Sequence, residues 1–310
     1  MRVTKLLLAL LLVLCPVGLA HAEDGDEKDS DAARAIALPG RLGLTGFNDM
    51  VDARTPKLIS VRAGLRYDFD IQERDFDGAV KATREKVEHE LELYAGGSVF
   101  GLVDVSARLP YVFRREENAL RGVADFADRD RGWGDFDLAA KVTLNFGGFF
   151  SVAPYVHGRF ATGEPEVEGL YSGTYGVAAT ASILNDYLAV HGNVAGFQQE
   201  QGLSALIFRA GVSFVAWSDD MLLLRVYGYA DGIEYEGRAG FDLDVEFGAQ
   251  AILLGFLTAE VGSSLRINDA GYLDATSKKV LRDGLGVFDR HFEDDGTWEV
   301  YLALGVVFDF

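Results

Sequence analysis

Apolar residues at every second position, in segment after segment beyond residue 58, constrain this chain more than any other feature. In the last segment Trp298, Val300, Leu302, Leu304, Val306, Phe308 and Phe310 alternate with Glu299, Tyr301, Ala303, Gly305, Val307 and Asp309. A helix would spread those positions all round its axis, whereas a strand collects them on one face. Near the start of the pattern, Ile59, Val61, Ala63, Leu65, Tyr67 and Phe69 alternate with Ser60, Arg62, Gly64, Arg66 and Asp68. Val87, Leu91, Leu93 and Ala95 alternate with Glu88, Glu90 and Glu92, and His89 is the one interruption. The spacing predicts twelve strands, over 59–69, 87–95, 103–113, 136–146, 150–160, 175–183, 188–196, 206–216, 222–230, 241–251, 257–267 and 298–310. Each has about the length a tilted strand needs to cross a membrane.

The connections select an architecture. Short turns such as Asn145-Phe146-Gly147-Gly148, Asn185-Asp186 and Ser218-Asp219-Asp220 alternate with longer, charged stretches at 70–86, 114–134, 161–173, 231–240 and 268–297; only 198–204 is brief. Alternation of tight turns with long loops marks an outer-membrane barrel, with turns at the periplasm and loops outside. Aromatics gather at strand ends. Tyr67, Phe69, Tyr111, Phe113, Phe136, Phe160, Tyr175, Phe208, Phe241 and Trp298 mark the outer rim. Phe100, Phe146, Phe149, Phe150, Phe214, Trp217, Phe256 and Phe310 mark the inner one. Two girdles at headgroup depth suit a bilayer, whereas a soluble sandwich would centre its aromatics in a core. The fold expected is therefore all-β: a 12-stranded antiparallel transmembrane β-barrel, an up-and-down meander, over 58–310. Pro154 is awkward, because a missing N–H breaks a ladder, and predicts a bulge or a shifted boundary.

The N-terminus explains how such a chain reaches that membrane. Arg2 and Lys5 precede an apolar run, Ala20-His21-Ala22 fits a small-x-small cleavage site, and acidic residues follow at once. This is a signal peptide over 1–22, too short to span a bilayer. Cleavage near Ala22 removes Cys15, the one cysteine, and with it any disulfide or thiol chemistry. Residues 23–37 read as an acidic flexible tail. Residues 38–57 carry Leu38, Leu42, Leu44 and Phe47 among several glycines, and the whole of 23–57 is expected to be flexible and to supply a periplasmic plug or gate.

The alternation also fixes which side chains face inward. The expected pore lining is Arg62, Arg66, Glu88, Glu90, Glu92, Asp104, Arg108, Asp135, Asp137, Lys141, Arg159, Arg209, Arg225, Asp242, Asp244, Glu246, Glu260 and Arg266. Periodicity fixes direction and not packing, so two outcomes stay open. The ion pairs fill a narrow interior and stabilise it, or they line a watery pore whose carboxylate excess favours cations or polar, uncharged solutes. Inward tyrosines (Tyr155, Tyr227, Tyr229 and Tyr301) are either binding surfaces for a ring-shaped solute or amphipathic wall residues. A formal charge of −19 excludes the basic face that nucleic acid requires.

Over 100–200 the chain resembles the outer-membrane transporter family of the meta-pathway of phenol degradation. The residues that carry the likeness are Arg108-Leu109-Pro110-Tyr111, Gly132-Trp133-Gly134-Asp135-Phe136 leading to Lys141, and Ala153-Pro154-Tyr155-Val156, followed by Thr162-Gly163 and His191-Gly192-Asn193. Where the family favours Pro-Thr-Gly, this chain has Ala161-Thr162-Gly163. The resemblance implies a barrel that passes small compounds, with aromatic ones as candidates. Trp298, Phe308 and the terminal Phe310 resemble the C-terminal signal read by the barrel-assembly machinery.

The function expected is passive passage of small aromatic or polar molecules across the outer membrane, in a porin-like, Gram-negative setting. The alternatives are a closed structural or surface-interaction barrel and an outer-membrane lipid hydrolase. Outer-membrane phospholipase A carries a Ser/His/Asn site on its outer wall, but His191-Gly192-Asn193 has no adjacent serine. His89, His157 and His291 show no metal spacing, and the acidic loop 284–297 lacks an EF-hand pattern. No catalytic residue, metal or cofactor is expected; the expected partners are outer-membrane lipid, lipopolysaccharide, the assembly machinery and an unidentified solute.

Overall fold

The computed structural model describes residues 38–41, 44–55, 59–76, 82–120, 124–146, 149–164, 171–183, 187–200, 202–219, 221–236, 241–268 and 292–309. The leader over 1–22, the tail over 23–37, Asp289 of the acidic loop and Phe310 lie outside them. The wall consists of β1 (Ser60–Phe76), β2 (Ala82–Val99) and β3 (Val103–Leu120), then β4, which runs in three stretches (Ala124–Trp133, Phe136–Val142 and Leu144–Phe146). It continues with β5 (Phe150–Phe160), β6 (Ser172–Ile183), β7 (Leu188–Gln199) and β8 (Ser204–Ser218). β9 (Leu222–Tyr235), β10 (Asp242–Leu253), β11 (Leu257–Asn268) and β12 (Phe292–Asp309) complete it. Each strand pairs antiparallel with the next, and β12 returns to β1 in register from Phe292↔Phe76 to Asp309↔Ser60. The twelve-stranded barrel is closed, so no edge is left to aggregate.

Two of the stretches expected as long loops are strand instead. β1 and β2 stay paired out to Phe76↔Ala82, and β3 and β4 out to Leu120↔Ala124. Their charged sequences carry no apolar alternation, and ion pairs such as Lys86–Glu88 (2.9 Å) and Arg114–Glu88 (2.8 Å) accompany the ladder. Pro154 lies within an unbroken β5. The ladder gives way in the neighbour, where β4 is interrupted at Thr143, beside Val142, the residue in register with Pro154. A second irregularity faces Pro110: β4 carries one extra residue there, at Gly134-Asp135, and the Gly134 N–H donates to the Pro110 carbonyl at 2.8 Å.

Outward positions carry the apolar face. Val61, Leu65, Leu93, Val105, Val156, Val194, Val261 and Leu304 are exposed, with Tyr175, Phe208 and Trp298 toward the loop end and Phe100, Phe149 and Trp217 toward the turn end. His89, the sequence irregularity, sits in the outer aromatic belt with its Nδ1 2.7 Å from the Tyr67 hydroxyl. At the turn end Phe100-Gly101 and Leu254-Gly255 adopt φ of 53°, 68°, 54° and 77°, consecutive left-handed residues in hairpins whose last pairs, Val99↔Val103 and Leu253↔Leu257, enclose three residues. Inside the wall, Tyr301 lies so close over Gly262 that any β-carbon there would strike its hydroxyl.

Candidate functional site: the lumen and the segment within it

A backbone that enters a barrel joins no wall ladder, so each of its N–H and C=O groups needs a partner within the segment, a wall side chain or water. Residues 38–41 and 44–55 meet that requirement at the inner wall. The segment makes one short antiparallel pair, Gly46–Phe47 with Met50–Val51, turning at Asn48, whose φ of 37° an Asn tolerates. The Thr45 N–H donates to Asp104 Oδ2 (2.8 Å), the Val51 N–H to Asn193 Oδ1 (2.9 Å) and the Ala53 N–H to Thr180 Oγ1 (2.9 Å). Asn193 Nδ2 returns a bond to the Val51 carbonyl at 3.0 Å, and Thr143 Oγ1 donates to the Ala53 carbonyl at 2.8 Å. Arg225 Nη2 and Gln250 Nε2 share the Gly46 carbonyl at 2.7 and 3.0 Å. Lys141 Nζ donates to the Arg54 carbonyl at 2.7 Å and also reaches the Asp52 carbonyl and the Thr45 hydroxyl. Those contacts come from strands all round the barrel, so the segment crosses the lumen rather than lying along one side.

Apolar contacts secure both legs and the turn. Leu38 packs with Val215, Leu223, Ile252 and Val307 near the turn end. Leu44, Val51 and Ala53 join Ala139, Ala153, Tyr155 and Ala178. Phe47 enters an aromatic slot: it stacks on Tyr227 (ring centroids 4.5 Å apart), leans on Tyr229 at 5.7 Å and meets the His191 ring edge-on at 4.9 Å.

The charged residues expected to face inward divide by height. Toward the turn end and mid-barrel, Arg62, Arg66, Glu92, Asp104, Arg108, Asp137, Lys141, Arg225, Glu246 and Glu260 are buried. Arg62 pairs with Asp104, Arg66 with Asp68 (2.7 Å), and Arg108 with both Glu92 and Asp137. Desolvation makes such pairs poor sources of stability, yet removing one partner costs several kcal/mol, roughly 3–5. Above the Asn48–Asp49 turn the inward face is wetter. Arg209–Asp231, Arg266–Asp244 and Arg114–Glu88 pair at 2.9, 2.9 and 2.8 Å, and the Arg159 side chain, on Asp137 at 3.0 Å, is 39% exposed. Glu88, Glu90 and Asp244 are half-buried there, and Asp242 is buried. Asp135 belongs to the β4 irregularity, where it accepts the Thr162 and Gly163 N–H groups at 3.1 and 3.0 Å. Trp298 and Phe308 point outward.

Within the segment, Arg41 spans Glu90 (3.6 Å), Glu92 (3.6 Å), Glu299 (3.4 Å) and Asp49 (3.9 Å). Burial pushes the Asp52 carboxyl up, but the Arg54 guanidinium on both of its oxygens, at 2.6 to 3.2 Å, holds it well below the usual range. The uncharged partners of the segment (Asn193, Thr180, Thr143 and Gln250) were not among the residues expected from the sequence. Their signal in the sequence is a polar, uncharged type at an inward position. Ser213 Oγ lies 2.9 Å from His191 Nε2, a serine–histidine contact brought together from β8 and β7. It is buried in the lumen beneath Phe47, on the opposite face of the wall from lipid.

A closed, even-stranded antiparallel barrel with an apolar exterior, aromatic rims and a polar interior defines an outer-membrane β-barrel. The sequence matches no protein-family model and no curated protein. Among solved structures, the COG4313 outer membrane channel from Pseudomonas putida F1 superposes with a TM-score of 0.53 at 11% identity, over 84% of this chain and 100% of that one. The transport unit of the autotransporter AIDA-I from Escherichia coli gives 0.48 at 10% identity (91% and 99% covered), and the NanC porin 0.45 at 9% (80% and 98%). At these identities the likeness is one of fold.

Proposed function

We propose that the barrel is an outer-membrane channel for passive passage of small molecules, with residues 38–55 as its gate. The observation that carries the reading is a segment hydrogen-bonded across the lumen, beneath an outer vestibule lined by paired charges. The Pseudomonas putida protein of the same fold is a channel, which agrees with it. A solute reaching the periplasm would have to displace the segment, and the slot that Phe47 fills is the size and chemistry of a small ring. Small aromatic molecules carrying a polar group are therefore the solute class we favour, in keeping with the resemblance to the phenol-pathway transporters. Export by a leader cleaved near Ala22, contact with lipopolysaccharide at the loop end, and recognition of Trp298, Phe308 and Phe310 by the assembly machinery complete the reading.

Planar-bilayer recording tests it directly. The mature chain should conduct weakly or rarely, and a chain lacking 23–57 should show a larger steady conductance. Equal conductance would remove the gate. A second reading, a closed barrel whose outer loops do the work, is favoured by the complete burial of Arg62 and Asp104. Silence from both forms, each shown to be folded, would establish that one instead.

A further inference from the structure

One side-chain cluster is left unexplained by gating. Asp49, at the turn of the inner segment, lies with Asp231 of β9 and Glu246 of β10 so that one carboxylate oxygen from each falls within 4.8 Å of the others. Three carboxylates at that distance repel one another unless something positive joins them. Two arginines reach the cluster from its edges, and neither touches Glu246. Arg209 holds Asp231 through Oδ2 at 2.9 Å, and Arg41, 3.9 Å from Asp49, is shared with Glu90, Glu92 and Glu299. Glu246 accepts from the Asn48 amide and, among the described residues, sits in no ion pair. The second oxygen of Asp231 is the decisive observation. Oδ1 is buried, in a residue only 6% exposed, and has no hydrogen-bond partner. A buried carboxylate oxygen without a donor is expensive, and a bound cation is the group that removes the cost.

We propose that Asp49, Asp231 and Glu246 form a site for a hard divalent cation, Ca²⁺, which straps the turn of the inner segment to the barrel wall. All three donors are carboxylate oxygens, the ligand set hard cations prefer, and Ca–O bonds of about 2.3–2.6 Å let oxygens on one ion lie up to about 4.6–5.2 Å apart, a limit the three meet by falling within 4.8 Å of one another. Water from the outer vestibule completes the shell, since Asp49 is only partly buried. The Tyr229 hydroxyl, which accepts the Asp49 N–H at 3.1 Å, stands beside the site. The proposal rests on the segment being seated in the lumen and not on conduction, so its test reads binding.

Mature protein refolded in detergent free of lipopolysaccharide is titrated with Tb³⁺, whose emission Tyr229 sensitises at this range, and then with Ca²⁺ as competitor. The expected result is saturable emission that Ca²⁺ displaces. Asp49→Asn and Glu246→Gln should each weaken Tb³⁺ binding about tenfold or more, as loss of one charged ligand does. Asp49→Asn lies off the wall, so the barrel closes without it, and heat-modified gel migration checks both variants. The acidic loop 284–297 is intact in each, so emission that persists unchanged in both variants would assign the ion to the loop and overturn the site. Absence of saturable emission from the parent protein would do the same.

Discussion

Phe47 stacks on Tyr227 with ring planes 26° apart, so the inner segment meets the barrel wall through aromatic faces as well as hydrogen bonds. The Arg225 guanidinium lies 5.4 Å from the same ring. Phe47→Ala empties the slot and should weaken docking by about 3–5 kcal/mol, the usual cost of truncating a buried phenylalanine. Open-state bursts should become more frequent in planar bilayers, and a small phenol added to the variant should shorten them. An unchanged opening frequency would show that the slot does not hold the segment.

Lys141 is the wall's main tie to the returning leg. Lys141→Met keeps the length of the side chain but strands the Asp52 carbonyl, leaves the Arg54 carbonyl to the Thr45 hydroxyl alone (2.9 Å) and leaves Asp104 with one cation fewer. Unpartnered buried acceptors cost about 1–3 kcal/mol each. Limited proteolysis in detergent should then cut within 38–57, where the parent protein resists; equal resistance would show that the carbonyl contacts are dispensable.

The acid response follows from Asp52. Its carboxyl is held below the ordinary aspartate value by Arg54, so its contribution to docking is complete above about pH 4 and is lost as pH falls through the lowered value. From this group, thermal unfolding should be flat between pH 8 and 5 and should decline only below about 4. Asp52→Asn should lower the midpoint at pH 7 and flatten the acid limb. A midpoint at pH 7 equal to that of the parent protein would remove Asp52 from the account.

Gly262 and Tyr301 should behave as a unit. Gly262→Val drives a side chain into the Tyr301 ring and should abolish the compact, heat-modifiable band. Pairing it with Tyr301→Val should restore the band, since neighbours of this kind are not additive. Failure of the double variant to fold better than the single would point to the backbone of β11 instead.

Much of the wall was legible in the sequence, because a membrane leaves a strand few choices. Lipid on one face forces the alternation that placed Val61 outward and Arg62 inward, and the need for closed pairing forces an even meander. Pro154 misled only locally, since its missing donor interrupted the partner strand and left its own intact. The loop-end hairpins misled more, because strands above the bilayer have no lipid face and so carry no periodic signal.

Sequence alone determined that this chain is a barrel and that alternate residues of its strands face opposite sides of the wall. Only the tertiary structure decided how residues 38–41 and 44–55 cross the interior, that Phe47 packs against Tyr227 and Tyr229, and that Asn193, Thr180 and Gln250 serve backbone atoms more than a hundred residues away. The reason is physical. Alternation is a local property, written by the contrast between lipid and lumen at each strand. Which side chains meet across a lumen depends on how twelve strands close, and no short stretch of sequence carries that distance.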